Sequence, residues 1–196
     1  MEKEICICSV LSLRKRETAQ ETALSLTTAL WEQYGKGTVV YVPVGIQFTG
    51  PGTVSMTELY FFYRKKQAMS VHFEQRKPIF VKPFHCFLES EEIENEQYYG
   101  FLTALAELAK CMVVPLDGLS PGRLHWFLKH SSIIVVLTDC EKGDPSPQYI
   151  GFLRNLQLLW GENFKEEMNR FLFITEEEPE GHKGVFGKKT RKMGGI

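Results

Sequence analysis

Three consecutive cations, Arg14, Lys15 and Arg16, stand between the apolar run ICICSV and an amphipathic stretch. Set ahead of a helix, such side chains can hold a phosphate by charge and by paired hydrogen bonds. The plainer reading, which the sequence favours, is a solvated basic loop. Asp117 follows the apolar run MVVP in the turn L-D-G. A carboxylate at the end of a strand can ligate magnesium, but an Asp before Gly needs no role beyond the turn. Cys6 and Cys8 alternate along one run, so both side chains point the same way. With no second pair nearby they read as core packing, not as a metal pair. The five histidines, His72, His85, His125, His130 and His182, show no ligand spacing. No G-x-S-x-G elbow occurs and no nucleophile–base arrangement can be inferred.

The elements that must position these residues follow from apolar periodicity. Residues 5–10 suit a buried strand, and Ala23, Leu26, Leu30 and Trp31 mark one face of a helix that Gly35 and Gly37 stop. A second apolar run, Val39–Val42, follows at once. Strand, helix and strand within about 40 residues make a βαβ unit with parallel strands. Residues 43–56 read as a loop, and TELYFFYRKKQA as a short helix over about 57–68. IFVK ahead of Pro83 reads as a short strand or edge, and SEEIENEQYYGFLTALAELAK as a helix with acid at its positive end. MVVPLDG is a third run. A short helix starts near Pro121, SSIIVVLTD is the most strand-like segment, and SPQYIGFLRNLQLLWGE is a helix with Ile150, Leu153, Leu156 and Leu159 or Trp160 inward. RFLFITEE is the last strand. Strands at about 4–9, 38–42, 111–115, 132–138 and 170–175, mostly separated by helices, predict a doubly wound, mostly parallel sheet with helices on both faces, a three-layer α/β/α fold.

Composition bounds the rest. At 196 residues one domain is expected, covering 1–175, with 176–196 a flexible charged tail. The net charge of −1 gives no ground for a nucleic-acid partner. Five cysteines are an odd number, which favours reduced thiols and a cytoplasmic location over a disulfide framework. MEKE is no signal peptide, and no apolar run approaches the ~20 residues a spanning helix needs. Lys188, Lys189, Arg191 and Lys192 in the tail allow weak peripheral contact with anionic lipid. The aromatics Tyr60, Phe61, Phe62 and Tyr63 exceed what one buried helix face requires, and either cap the sheet or reach a partner.

The order of these pieces resembles the ParA/MinD superfamily of deviant P-loop ATPases over residues 4–175. ICICSV, loop, TALSLTTALWEQYGKGTVVYV is similar to that family's first strand, P-loop, helix and second strand. MVVPLDGLSPGRLHWFLKHSSIIVVLTD is similar to its hydrophobic strand, switch turn, short helix and next strand. TELYFFYRKK through MVVPLDG is closest in texture to the TadZ/CpaE-like branch linked to Tad-type pilus assembly. The family loop reads K-G-G-x-G-K-[ST]. Anchored on Ala23, its positions fall on Arg14, Lys15, Arg16, Glu17, Thr18, Ala19 and Gln20. Arg14 then stands at the signature lysine, Lys15, Arg16 and Thr18 at the glycines, Ala19 at the phosphate-binding lysine and Gln20 at the magnesium-linked hydroxyl.

Glycines let successive amides converge on a phosphate, and side chains at those positions block both the approach and the positive φ it needs. The second strand ends in Pro43, Val44 and Gly45 where the family has aspartates. Pro115 stands where a magnesium-linked aspartate is usual, with Asp117 two residues on. The adenine-recognising asparagine falls near Thr175. The resemblance thus implies a vestigial nucleotide site at Arg14, Lys15, Arg16, Thr18 and Asp117, no resident cofactor or metal, and no catalytic residue. The expected role is a pseudo-ATPase that binds protein partners, including a second copy of itself. The face involved would combine 12–20, 115–122 and 139–147. The alternatives are an ATPase that binds ATP and magnesium through the basic loop, and a receiver-like regulatory domain with strand order 2-1-3-4-5.

Overall fold

The computed structural model describes residues 6–13, 16–34, 39–43, 54–69, 79–82, 93–109, 111–141 and 144–176. In chain order the elements are β1 (Ile7–Ser12), α1 (Arg16–Tyr34), β2 (Val39–Tyr41), β3 (Val54–Ser55), α2 (Met56–Arg64) and β4 (Ile79–Lys82). They continue with α3 (Asn95–Leu108), β5 (Cys111–Pro115), α4 (Pro121–His130), β6 (Ile133–Glu141) and β7 (Asp144–Pro145). Next come α5 (Pro147–Trp160), a 3₁₀ turn (Gly161–Asn163), α6 (Phe164–Glu167), a second 3₁₀ turn (Met168–Arg170) and β8 (Phe171–Glu176).

Seven strands pair in parallel in the order β3-β4-β2-β5-β1-β6-β8. The two-residue β7 folds back antiparallel on the end of β6. Two neighbouring residues of one strand face opposite layers, and the core divides accordingly. Val40, Met112, Val114, Ile134 and Val136 pack with buried side chains of α2, α3, α4 and α5. Their neighbours Val39, Tyr41, Cys111, Val113, Val135 and Leu137 pack with Ala19 and Ala23 of α1. Helices on both faces explain why the strands read as continuous apolar runs. Ser9 lies buried in the middle of β1 because its hydroxyl meets that of Ser131 at 2.6 Å, and Ser131 in turn donates to the Phe127 carbonyl.

The doubly wound sheet is as expected, and the receiver-like alternative fails on strand order. In a 2-1-3-4-5 sheet the first two strands are neighbours; here β5 lies between β1 and β2. Three details depart from the sequence reading. β1 runs three residues further than expected, because β6 supplies ladder partners as far as Ser12 while β5 pairs with it as far as Val10, and the Leu13 amide still donates to the Leu137 carbonyl at 3.0 Å. α1 begins at Arg16, where RETAQE is polar but made largely of good helix formers. In α5 the inward stripe is Phe152, Leu156 and Trp160, whereas Ile150 and Leu159 are exposed. The aromatic run in α2 splits: Tyr60 is buried, Phe62 and Tyr63 pack against the core, and Phe61 is exposed. α2 and α3 approach so closely that a Cβ on Gly100 would lie 2.6 Å from the Tyr63 hydroxyl.

Candidate functional site

Chemistry in an open parallel sheet gathers at the carboxyl ends of its strands, where the strand order reverses. Here the reversal falls between β1 and β6. The chain leaves β1 through α1 toward β2 on one side, and leaves β6 through α5 toward β8 on the other. The residues that meet there are Ser12 and Leu13 after β1, Leu116–Gly118 after β5, and Thr138 and Asp139 on β6.

At this edge side chains take over where the backbone ladder stops. The Leu116 amide donates to the Val10 carbonyl at 2.8 Å, the last backbone bond in that direction between β5 and β1 among the described residues. One step further the Asp117 carboxylate accepts from the Ser12 amide at 3.3 Å. Gly118 follows with φ 72, a left-handed conformation that closes the turn toward α4. Asp117 is buried, and Tyr41 lies near enough to feel its charge: burial chiefly, and then that carboxylate, push the Tyr41 phenol well above its usual range. Thr138 and Thr175 stand opposite each other on β6 and β8 with hydroxyls 3.4 Å apart. Ser146 accepts from the Tyr149 amide at 3.2 Å and so caps α5.

A second feature joins α4 to α3. Arg123, in α4, is only 4% exposed, and its guanidinium sits 4.0 Å from the centre of the Tyr98 ring. Burial pushes the Tyr98 phenol up, against the opposing effect of the Arg123 charge. Next to it Tyr99, Trp126 and His130 stack in series, at 5.2 and 4.5 Å between centroids, and His130 Nδ1 lies 2.8 Å from the Trp126 carbonyl. His130 is thus held by ring packing. Sequence reasoning passed over Arg123 and Tyr98. The available signal was that Arg123 and Phe127 share the buried stripe of α4 at i, i+4 spacing.

The site residues expected from sequence are only partly brought together. Arg14 and Lys15 lie outside the described residues. Arg16 and Thr18 fall in the first turn of α1, and their side chains lie outside the described set. The loop expected over 12–20 is therefore a correction: β1 ends at Ser12 and α1 starts at Arg16, which leaves residues 13–15 between them. Ala19, at the position of the phosphate-binding lysine, is fully buried against the sheet. Asp117 is at the expected edge, engaged with backbone. Among the described residues no group of three His, Cys, Asp or Glu side chains could hold a metal, and no helix is long and apolar enough to cross a membrane. The tail beyond Glu176, with Lys188, Lys189, Arg191 and Lys192, lies outside the described residues, as do His72, His85 and His182.

No protein-family model matches the chain, and no curated protein matches it by sequence. Solved structures do. A ParA family ATPase from Chlorobium tepidum TLS aligns with a TM-score of 0.62 at 14% identity, over 88% of this chain and 74% of its own. A plasmid partition protein from Borrelia burgdorferi aligns at 0.54 and 12%, over 92% and 84%. A partition protein from Borrelia burgdorferi B31, bound to AMPPNP, aligns at 0.52 and 14%, over 96% and 94%. The chain therefore has a ParA-like α/β fold.

Proposed function

We propose that this chain is a ParA/MinD-like domain that has exchanged nucleotide hydrolysis for protein recognition. In this reading it positions or assembles partners, including a second copy of itself, through the sheet edge where relatives hold nucleotide. The setting proposed from the resemblance is the cytoplasmic side of a surface apparatus such as a Tad-type pilus. The observation that carries the reading is the β1–α1 junction. Only residues 13–15 separate strand from helix, none of them glycine, and the next five positions of the family loop, Arg16–Gln20, are helical. A phosphate cradle needs successive loop amides that converge on the anion; three glycine-free residues supply few of them, which leaves mainly the first-turn amides of α1. The buried Ala19 supports the same reading, since it offers no charge to a γ-phosphate.

Titration with ATP, with and without magnesium, followed by thermal unfolding, tests the proposal. The expected result is a shift within error at millimolar nucleotide. Binding at [L] = 100 Kd would stabilise by about 2.7 kcal/mol, several degrees for a chain of this size. Such a shift, abolished by Arg14→Ala with Arg16→Ala, would instead establish the ATP-binding alternative.

A further inference from the structure

At the amino end of the sheet, away from the edge just described, β1 and β5 bring two cysteines face to face. The register pairs Ile7 with Met112, and the Met112 amide donates to the Cys6 carbonyl at 2.9 Å, so Cys6 and Cys111 stand directly across from each other. Their sulfurs are 3.3 Å apart, and both thiols are free. Cys6 is half-buried and reachable from solvent, whereas Cys111 is buried beneath it. Adjacent strands lie about 4.7–4.9 Å apart, inside the ~4.4–6.8 Å span between Cα atoms that a disulfide bridges.

We propose that Cys6 and Cys111 form a peroxide-reactive dithiol that closes reversibly into a disulfide between β1 and β5. The two thiols divide the work. The hydrogen bond from Cys111 lowers Cys6 to about 7 against the opposing effect of burial, so about half of Cys6 is thiolate at neutral pH. Cys111 is held protonated, first by that same bond and then by burial. Burial also pushes the neighbouring Cys8 up to about 12, which keeps it out of the reaction. The Cys6 thiolate attacks hydrogen peroxide. An S–O bond forms, the O–O bond breaks, and hydroxide leaves to become water with the proton Cys6 released on ionising. The product is a sulfenic acid at Cys6. Cys111 then attacks that sulfur. The S–S bond forms, the S–O bond breaks, and a second water carries off the Cys111 proton. Peroxide gains two electrons, the thiol pair loses two, and an external dithiol reverses the step.

The test uses the full chain, reduced and freed of reductant, then treated with a small excess of hydrogen peroxide. Non-reducing peptide mass spectrometry should find Cys6 linked to Cys111 with the loss of two hydrogens, and accessible-thiol counts should fall from five to three after unfolding in denaturant. The cross-link spans a sequence separation of 105 residues, which predicts a rise in Tm of about 5–15 °C that dithiothreitol reverses. Cys111→Ser should leave Cys6 as a sulfenic acid that dimedone traps, and Cys6→Ser should give neither product. Circular dichroism of both variants separates lost chemistry from lost fold, and should one not fold, Cys6→Ala and Cys111→Ala serve in its place. Dominant linkage through Cys86 or Cys140, or cross-linking of Cys6 to Cys111 only in the denatured chain, would overturn the proposal.

Discussion

The two ends of the β1–β5 pair are built from the same two strands and behave as opposites. At the carboxyl end the Asp117 side chain accepts from the Ser12 amide, one step past the last β5–β1 register pair. At the amino end the ladder is intact, with the Met112 amide on the Cys6 carbonyl, and the side chains have no backbone duty. Buried backbone groups must be satisfied, so wherever a strand outlasts its neighbour a side chain is recruited and loses its chemical freedom. Where the ladder closes on itself, the residues above it are left to react. In this chain that logic fits the two proposals above, a structural carboxyl edge and a reactive pair of thiols at the amino edge.

The sharpest way to break the comparison is at Arg123. Arg123→Ala removes a buried cation from the Tyr98 ring and empties the space it fills between α4 and α3. The expected loss is about 2–4 kcal/mol, read as a shift in the denaturant midpoint at unchanged m-value. A loss near zero would mean that this end is not a structural fixture and would reopen it as a ligand site. Asp117 comes next. Asp117→Ala removes a buried acceptor from the Ser12 amide and should cost about 1–3 kcal/mol. Asp117→Asn, whose Oδ1 still accepts, should cost less than half of that. If Asn were as damaging as Ala, the charge rather than the acceptor would matter, as it would for a magnesium ligand.

The parts of this molecule that alternation dictates were legible in the sequence. Val39–Val42, MVVP and SSIIVVLTD became β2, β5 and β6 within a residue or so at their starts, because strands buried on both faces must be apolar throughout. The β1–α1 boundary was not legible, because two forces there oppose the local pattern. Ladder partners on β6 carry β1 through polar Ser12, and the helix propensity of RETAQE extends α1 back into what polarity alone marks as loop. That boundary carries the functional reading proposed above. Arg123 stayed hidden for a related reason. A charged residue reads as surface unless the partner that buries it is known, and Tyr98 lies on another helix. Likewise the Cys6–Cys111 pair needed the strand order, since nothing in the sequence says that the first strand lies beside the fifth.

The gentlest test acts at the amino end alone. Cys111→Ala removes a small buried side chain from an intact ladder, so stability should change by no more than about 1 kcal/mol. What should move is the pH profile of Cys6. In the native protein, alkylation of Cys6 by iodoacetamide, followed peptide by peptide, should be half-maximal near pH 7, because the Cys111 hydrogen bond favours the thiolate. Without that donor only burial acts on Cys6, burial disfavours the anion, and the midpoint should climb past the ordinary thiol value of 9.0. Below pH 8 the variant would then alkylate at least tenfold more slowly, since each unit of pKa removes a factor of ten in thiolate. Cys111→Ser restores a donor of similar size and should return the midpoint most of the way. A midpoint that stays near 7 in the alanine variant would show that Cys6 owes its reactivity to something other than the strand across from it. The two ends of the pair would then differ in residue type but no longer in the rule that a closed ladder leaves its side chains to each other.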